Sequence, residues 1–188
     1  MTSIPDSIQA DLTQLLVEDR IEKVLVAYCQ GVDRKDWEQV RACYHDDAVD
    51  SHGQFVGSPD EMVTWMQGNH VPVTTSMHVL TNVSIRLSDD GRLARVESYC
   101  LSLKTVSSAA DDPFLGASGG QGLARRTVAC RYVDTFEDRP GVGWRILRRQ
   151  VAFDWVRREP DELYLPLDAN WTVSRRDRSD PLYAPIVF

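Results

Sequence analysis

The chain has 188 residues, 43% of them hydrophobic and 26% charged, with a formal net charge of −7. That length suits one domain with a core large enough to hold an internal pocket, and the excess of acid excludes the basic face a nucleic-acid binder needs. No stretch approaches the ~20 apolar residues of a membrane-spanning helix, and the first residues do not resemble a secretory signal, so a cytoplasmic protein is expected.

The chain opens loosely over Met1 to Asp6, with Pro5 set to start a short helix through Leu16. A main helix is predicted from about Val17 to Val32, because Ile21, Leu25, Tyr28 and Val32 recur at intervals of four, three and four. Asp33 follows at its end. A helix C-terminus carries partial negative charge, so an acid there is disfavoured by roughly 0.3–1 kcal/mol unless a cation or donor offsets it.

Asp36 can cap a second helix through Tyr44, with Trp37, Val40 and Tyr44 along its inner face. Ala48 to Phe55 reads as a short strand turning at Gly53. Ser58 or Asp60, beside Pro59, would start a third helix through Gln67. From there the pattern is β. Thr74 to Leu87 alternates, Asp89-Asp90-Gly91 signals a turn, and Leu93 to Val106 alternates again. Residues 107–122, rich in Gly, Ser and Ala, read as a mobile loop able to close over a site. Two further strands are expected over Leu123 to Glu137 and Trp144 to Arg157. Residues 157–188, with four prolines and little periodicity, read as an extended tail on the surface or on a neighbouring subunit. Three helices followed by a meander of long strands predict a single α+β domain spanning 1–188, with helices packed on one face of a curved, mostly antiparallel sheet. The mouth of such a cone is where a pocket belongs.

Cys29, Cys43, Cys100 and Cys130 are far apart and form no CxxC pair, which sets aside zinc-finger and thioredoxin-like chemistry and predicts reduced thiols. The arginines from Arg145 to Arg158 and from Arg175 to Arg178 are interrupted by acids and apolar residues and read as solvated surface. His45, at a polar helix exit, reads as surface or capping, and His70 as a loop residue. His52 and Asp50 are candidates for the rim of a pocket. His45, Asp46, Asp47, Asp50 and His52 contain metal-ligand types, but their spacing does not converge on one face. His78 interrupts an alternating strand, so it faces either solvent or a polar site. Paired with Asp33 it would make an economical general base, since the carboxylate fixes the tautomer and stabilises the imidazolium.

Tyr28…Gly31-Val32-Asp33, then Asp36-Trp37 and Asp46-Asp47-Ala48, resemble the SnoaL-like branch of the NTF2-like superfamily. Ser76-Met77-His78, Arg131-Tyr132-Val133-Asp134 and Gly143-Trp144-Arg145-Ile146 continue the resemblance over about Val17 to Trp155. It implies a cone-shaped α+β barrel, commonly trimeric, and a cofactor-independent lyase acting on a hydrophobic cyclic or aromatic small molecule. Similar enzymes are bile acid 7α-dehydratase, hexachlorocyclohexane dehydrochlorinase and scytalone dehydratase. Carried over, Asp33 orients His78, which removes a proton, and Tyr28 assists the oxyanion or the leaving hydroxyl. An acid that the bile acid enzyme carries on the next strand is missing, and Cys100 is the best match to its position. Alternation turns Ser98, Cys100 and Ser102 inward and Glu97 and Tyr99 outward, and Arg131 is a candidate substrate contact or a surface residue. Release of formaldehyde, isomerisation of a double bond, and non-catalytic binding remain alternatives on the same pocket.

Overall fold

The computed structural model describes residues 5–107, 123–160 and 163–185. The expected first two helices are one: α1 runs through Asp6–Arg34, 29 residues. Nothing between Leu16 and Val17 breaks a helix, since neither Pro nor Gly intervenes. Only the second half of α1 is core, with Ile21, Leu25, Tyr28 and Val32 buried, while Ile8, Leu12, Leu15 and Leu16 are exposed. Lys35, in the left-handed region, ends the helix. Asp36 then caps α2, Trp37–Ala42, by accepting from the Gln39 amide. Tyr44 belongs to the next element, β1, Tyr44–His52, rather than to the helix. A turn at Gly53 leads to β2, Phe55–Gly57. In α3, Pro59–Asn69, Ser58 and Glu61 form a reciprocal capping box.

The long strands are β3, Val73–Leu87, β4, Leu93–Val106, β5, Ala124–Arg139, and β6, Gly143–Pro160. With β1 and β2 they form one curved, unclosed sheet in the order β2-β1-β6-β5-β4-β3, antiparallel except where β1 runs parallel to β6. The fold is thus three helices on a mostly antiparallel sheet, with an α+β NTF2-like architecture. Residues 108–122, expected to be a mobile loop, lie outside the described residues.

Irregularities shape the sheet. Asn82, at φ 49°, lies in a register shift of β3 between Thr81 and Ser84. In β6 an extra residue, Leu147, falls between the pairs Phe136–Ile146 and Thr135–Arg148, and another, Asp154, falls between Cys130–Phe153 and Ala129–Trp155. Such bulges bend a strand and raise its twist. Each also advances the inward-facing set by one. Ile146 faces in, but the next inward residue is Arg149, which is buried. The core lies between the concave face and α1–α3 and includes Tyr28, Tyr44, Met62, Tyr132, Phe136 and Ile146.

The described tail, 163–185, includes a short 3-10 turn at Pro181–Tyr183. Its later part packs on this same chain: Asp180 pairs with Arg34 at 2.9 Å, and Arg178 with Asp36 at 2.9 Å.

Candidate active site

The end of α1 and the start of β3 bring Asp33 and His78 together across 45 residues of sequence. The Asp33 Oδ1 atom lies 2.6 Å from His78 Nδ1. Two further donors hold the carboxylate: Ser76 Oγ at 2.8 Å, and the His78 backbone N–H at 3.0 Å on Oδ2. Both side chains are largely buried, at 5% exposure for His78 and 14% for Asp33. Burial pushes the Asp33 carboxyl up, but the hydrogen bonds and charge of His78 and the Ser76 bond outweigh it and leave the acid below its ordinary range. Nδ1, facing the carboxylate, is the donor of this contact, and in a neutral ring with that tautomer Nε2 is the accepting nitrogen.

The helix-end penalty on Asp33 is offset from the tail. Arg176 donates through Nε to the Asp33 carbonyl and through Nη2 to the Val32 carbonyl, both at 2.8 Å. Its Nη1 donates to the Val73 carbonyl, also at 2.8 Å. One guanidinium thereby caps the last turn of α1 and ties it to the first residue of β3. The expectation that 175–178 is solvated surface fails for Arg176, because a planar fork of donors matches orphan carbonyls.

Deeper in the cone, Tyr28 is buried, and its hydroxyl has no hydrogen-bond partner among the described residues. Burial pushes that hydroxyl well up, against the opposing pull of Arg149. The Arg149 guanidinium lies 4.2 Å from the Tyr28 ring centre and 4.2 Å from that of Tyr132. It donates to both oxygens of Asp134, from Nε at 2.9 Å and Nη2 at 2.7 Å, with both side chains fully enclosed. Arg149 therefore corrects the reading of 145–158 as surface. The signal that would have found it is the bulge at Leu147, which no sequence period displays.

The other candidates divide. Ser98, Cys100 and Ser102 face inward and are buried, and Tyr99 faces out, as alternation predicts. Cys100 Sγ donates to the Tyr132 hydroxyl at 3.5 Å. All four cysteines are buried and free. Asp50 is buried and accepts from the Tyr44 hydroxyl at 2.7 Å, while His52 Nδ1 stands 3.6 Å from its other oxygen. Arg131 is corrected. It lies on the outer face beside Glu97, which accepts from Nη1 at 2.9 Å, because Cys130 and Tyr132 take the inward positions of β5.

One further histidine is corrected, and a second lies in the turn expected for it. His45 is buried, with Nε2 2.9 Å from the Glu137 carbonyl. His70, at the C-terminal end of α3, is buried against Trp37 and lies between Lys104 Nζ at 3.2 Å and Arg176 Nη2 at 3.1 Å. Burial first, then the charges of Lys104 and Arg176, hold its imidazole well below the ordinary range and so neutral. Of the remaining metal-ligand types, Asp46 pairs with Arg41 and Asp47 with Arg139, which turns them away from Asp50 and His52. No helix among the described residues is long and apolar enough to cross a membrane.

Helices packed on one face of a curved, mostly antiparallel sheet make an NTF2-like fold, here with an acid–histidine pair between a helix end and the first long strand. The family model for a SnoaL-like domain matches residues 13–150, and the chain belongs to that family. Among solved structures it is similar to the hexachlorocyclohexane dehydrochlorinase LinA-type3 from Novosphingobium barchaimii. The TM-score is 0.67 at 16% identity, covering 84% of this chain and 99% of that one. A candidate scytalone dehydratase from Novosphingobium aromaticivorans matches with a TM-score of 0.61 at 17% identity, covering 80% of this chain and 90% of the other. A variant of Rv3472, a protein of unknown function from Mycobacterium tuberculosis, matches at 0.56 with 20% identity, over 78% of this chain and 75% of that one. At these identities the likeness is one of fold. No curated protein matches the sequence significantly.

Proposed function

We propose that the protein is a cofactor-independent lyase acting on a hydrophobic cyclic or aromatic small molecule, with His78 as general base. The observation that carries this reading is the 2.6 Å contact between His78 Nδ1 and an Asp33 carboxylate held by two further donors. His78 Nε2 takes a proton from a carbon next to a carbonyl or similar acidifying group. Asp33, ionised and hydrogen-bonded to Nδ1–H, keeps the tautomer fixed and stabilises the imidazolium that forms. Tyr28, whose raised hydroxyl stays protonated, donates to the developing oxyanion or to the departing hydroxyl. The imidazolium then returns the proton to solvent or to the leaving group. Asp50, His52, Ser98 and Cys100 belong to the wall of the same pocket in this reading. A dehydrochlorinase and a candidate scytalone dehydratase share this fold, which is consistent with elimination at this site. Loss of formaldehyde or a double-bond shift would use the same base.

A homotrimer belongs to this reading. The outer face of the sheet carries exposed Met77, Val79, Leu101 and Leu103, a surface an assembly would cover. Light scattering giving a monomer would remove it.

A second reading, a non-catalytic binding module, draws on the packed interior, where Arg149 between Tyr28 and Tyr132 occupies the depth of the cone. One experiment separates the two. The protein is incubated in heavy water with aromatic ketones, steroid enones and β-hydroxy carbonyl compounds, and deuterium uptake and loss of water or formaldehyde are followed by mass spectrometry. Exchange abolished by both His78→Ala and Asp33→Asn supports the lyase. Binding without exchange for every compound leaves the binding module.

A further inference from the structure

Cys100 of β4 and Cys130 of β5 are direct partners in antiparallel register. Opposed residues of such strands share a face, with Cα atoms about 4.5–5.5 Å apart, inside the roughly 4.4–6.8 Å that a disulfide requires. Both side chains turn inward, both are buried and both are free thiols. Closing the bond takes side-chain rotation and a small approach of the two strands. The far edge of β5 permits that approach, because its pairing with β6 is interrupted between Ala129 and Cys130 by the Asp154 bulge.

The four thiols have different surroundings. Cys43 donates to the Gln39 carbonyl at 3.2 Å, and burial pushes its thiol up to about 12. Burial raises Cys29 as well. Cys100 stands apart, since the hydrogen bond from Cys130, with help from Tyr132 and Arg149, outweighs burial and holds it below the ordinary thiol range. The Tyr132 hydroxyl, 3.5 Å from Cys100 Sγ, can turn its O–H toward a thiolate. Cys130 is raised by the same contact and keeps its proton. One sulfur is thus the nucleophile of the pair and the other the thiol that resolves it. Ser98 and Ser102 flank Cys100 two residues away on either side of the same inward face. Their Oγ atoms are buried and have no hydrogen-bond partner among the described residues. Hydrogen peroxide, with two oxygens and little more bulk than water, suits such orphaned hydroxyls. Burial of both sulfurs disfavours a bulkier oxidant such as oxidised glutathione.

We propose that Cys100 and Cys130 are a modification site for hydrogen peroxide, which joins them in a cross-strand disulfide. The Cys100 thiolate attacks the O–O bond, becoming a sulfenic acid and releasing hydroxide, which takes a proton from solvent. Cys130 sulfur then attacks Cys100 sulfur, the S–OH bond breaks, and the hydroxyl leaves as water with the Cys130 proton. The two sulfurs are oxidised to the disulfide and one peroxide is reduced to two waters. The new bond takes Cys100 from its contact with Tyr132 and ties β4 to β5 two residues from Ser102, the partner of His78. The site needs no substrate turnover, so it stands or falls apart from the lyase reading.

The test is a mass measurement on the full chain. Reduced protein is treated with hydrogen peroxide, quenched, unfolded in acid and alkylated, and its peptides are mapped. The expected product has lost two hydrogens, keeps two of its four thiols and joins the peptides of Cys100 and Cys130. Dithiothreitol should restore the starting mass. Cys100 should react at least about tenfold faster than Cys29 or Cys43. In Cys130→Ser, Cys100 should stop at the sulfenic acid and be captured by dimedone, whereas Cys100→Ser should leave Cys130 a thiol. Mapping the parent chain decides the matter even where a variant fails to fold. A different pairing, a bond between two chains, passage of Cys100 to the sulfinic acid, or four intact thiols under conditions that consume free cysteine overturns the site. A bond formed as fast with oxidised glutathione overturns the peroxide assignment.

Discussion

Two acids in this molecule each face a nitrogen base, and their surroundings drive them in opposite directions. Asp134 is fully enclosed and holds Arg149 in a two-pronged ion pair, yet burial wins over that charge and its carboxyl is raised. Asp33 is less deeply enclosed and gathers three hydrogen bonds, and these win over burial, so its carboxyl is lowered. The number of donors an acid collects, set against the water it has lost, decides whether its charge is costly or favoured. Asp134–Arg149 fills the depth of the cone and fixes the packing of Tyr28 and Tyr132. Asp33–His78 keeps one ring nitrogen for other work.

The largest expected effect breaks the functional side of this contrast. His78→Ala should reduce any proton-exchange or elimination rate by about 10²–10⁴-fold, read from single-turnover kinetics. Urea unfolding should change little by comparison. Next comes the structural side. Arg149→Met should cost about 3–5 kcal/mol in urea unfolding, because it leaves Asp134 buried and unpaired. Arg149→Met combined with Asp134→Leu should recover much of that loss. A double variant as unstable as the single one would show that the cation's packing on the tyrosines matters more than its charge.

Arg176→Met probes the link between the two ends of the chain. It removes donors to the Val32, Asp33 and Val73 carbonyls and should cost roughly 1.5–3 kcal/mol in urea unfolding. It should also lower kcat more than it raises KM, since the last turn of α1 carries Asp33. An unchanged kcat with the same loss of stability would confine Arg176 to a structural part.

The smallest effect sharpens the comparison itself. Asp33 has a folded value below the ordinary carboxylate value. Its contribution is therefore present above the ordinary value and is lost as pH falls through the folded one. Asp134 has a folded value above the ordinary one. The folded chain holds its proton more tightly, so stability declines as pH rises from the ordinary value through the folded one. Between about pH 6 and about pH 3, the Tm gap between the parent and Asp33→Asn should narrow, while the gap to Asp134→Asn should widen. Gaps that move together would show that the two acids behave alike.

Much of this architecture was legible because it rests on local rules. The alternation of β3 and β4, the Asp36 cap, the Ser58 cap beside Pro59 and the turn before Gly91 are each written within a few residues. The acid at the helix end was legible as a misfit, and its partner as a histidine out of pattern. Alternation also placed Ser98, Cys100 and Ser102 inside. It left Arg131 open, and the structure turned it outward, since Cys130 and Tyr132 had to face the core.

What sequence alone determined was therefore the set of elements and the two residues whose local setting made no sense without each other. Tertiary structure decided how those elements meet. One inserted residue in β6 turned Arg149 rather than Arg148 into the core, and a strand period cannot announce its own interruption. Arg176 reached the end of α1 across 143 residues, and His70 was buried by Lys104, Arg176 and Trp37 from elements distant in the chain. Periodicity reports the faces of one element at a time. Which side chains face one another across two strands exists only once the register is set.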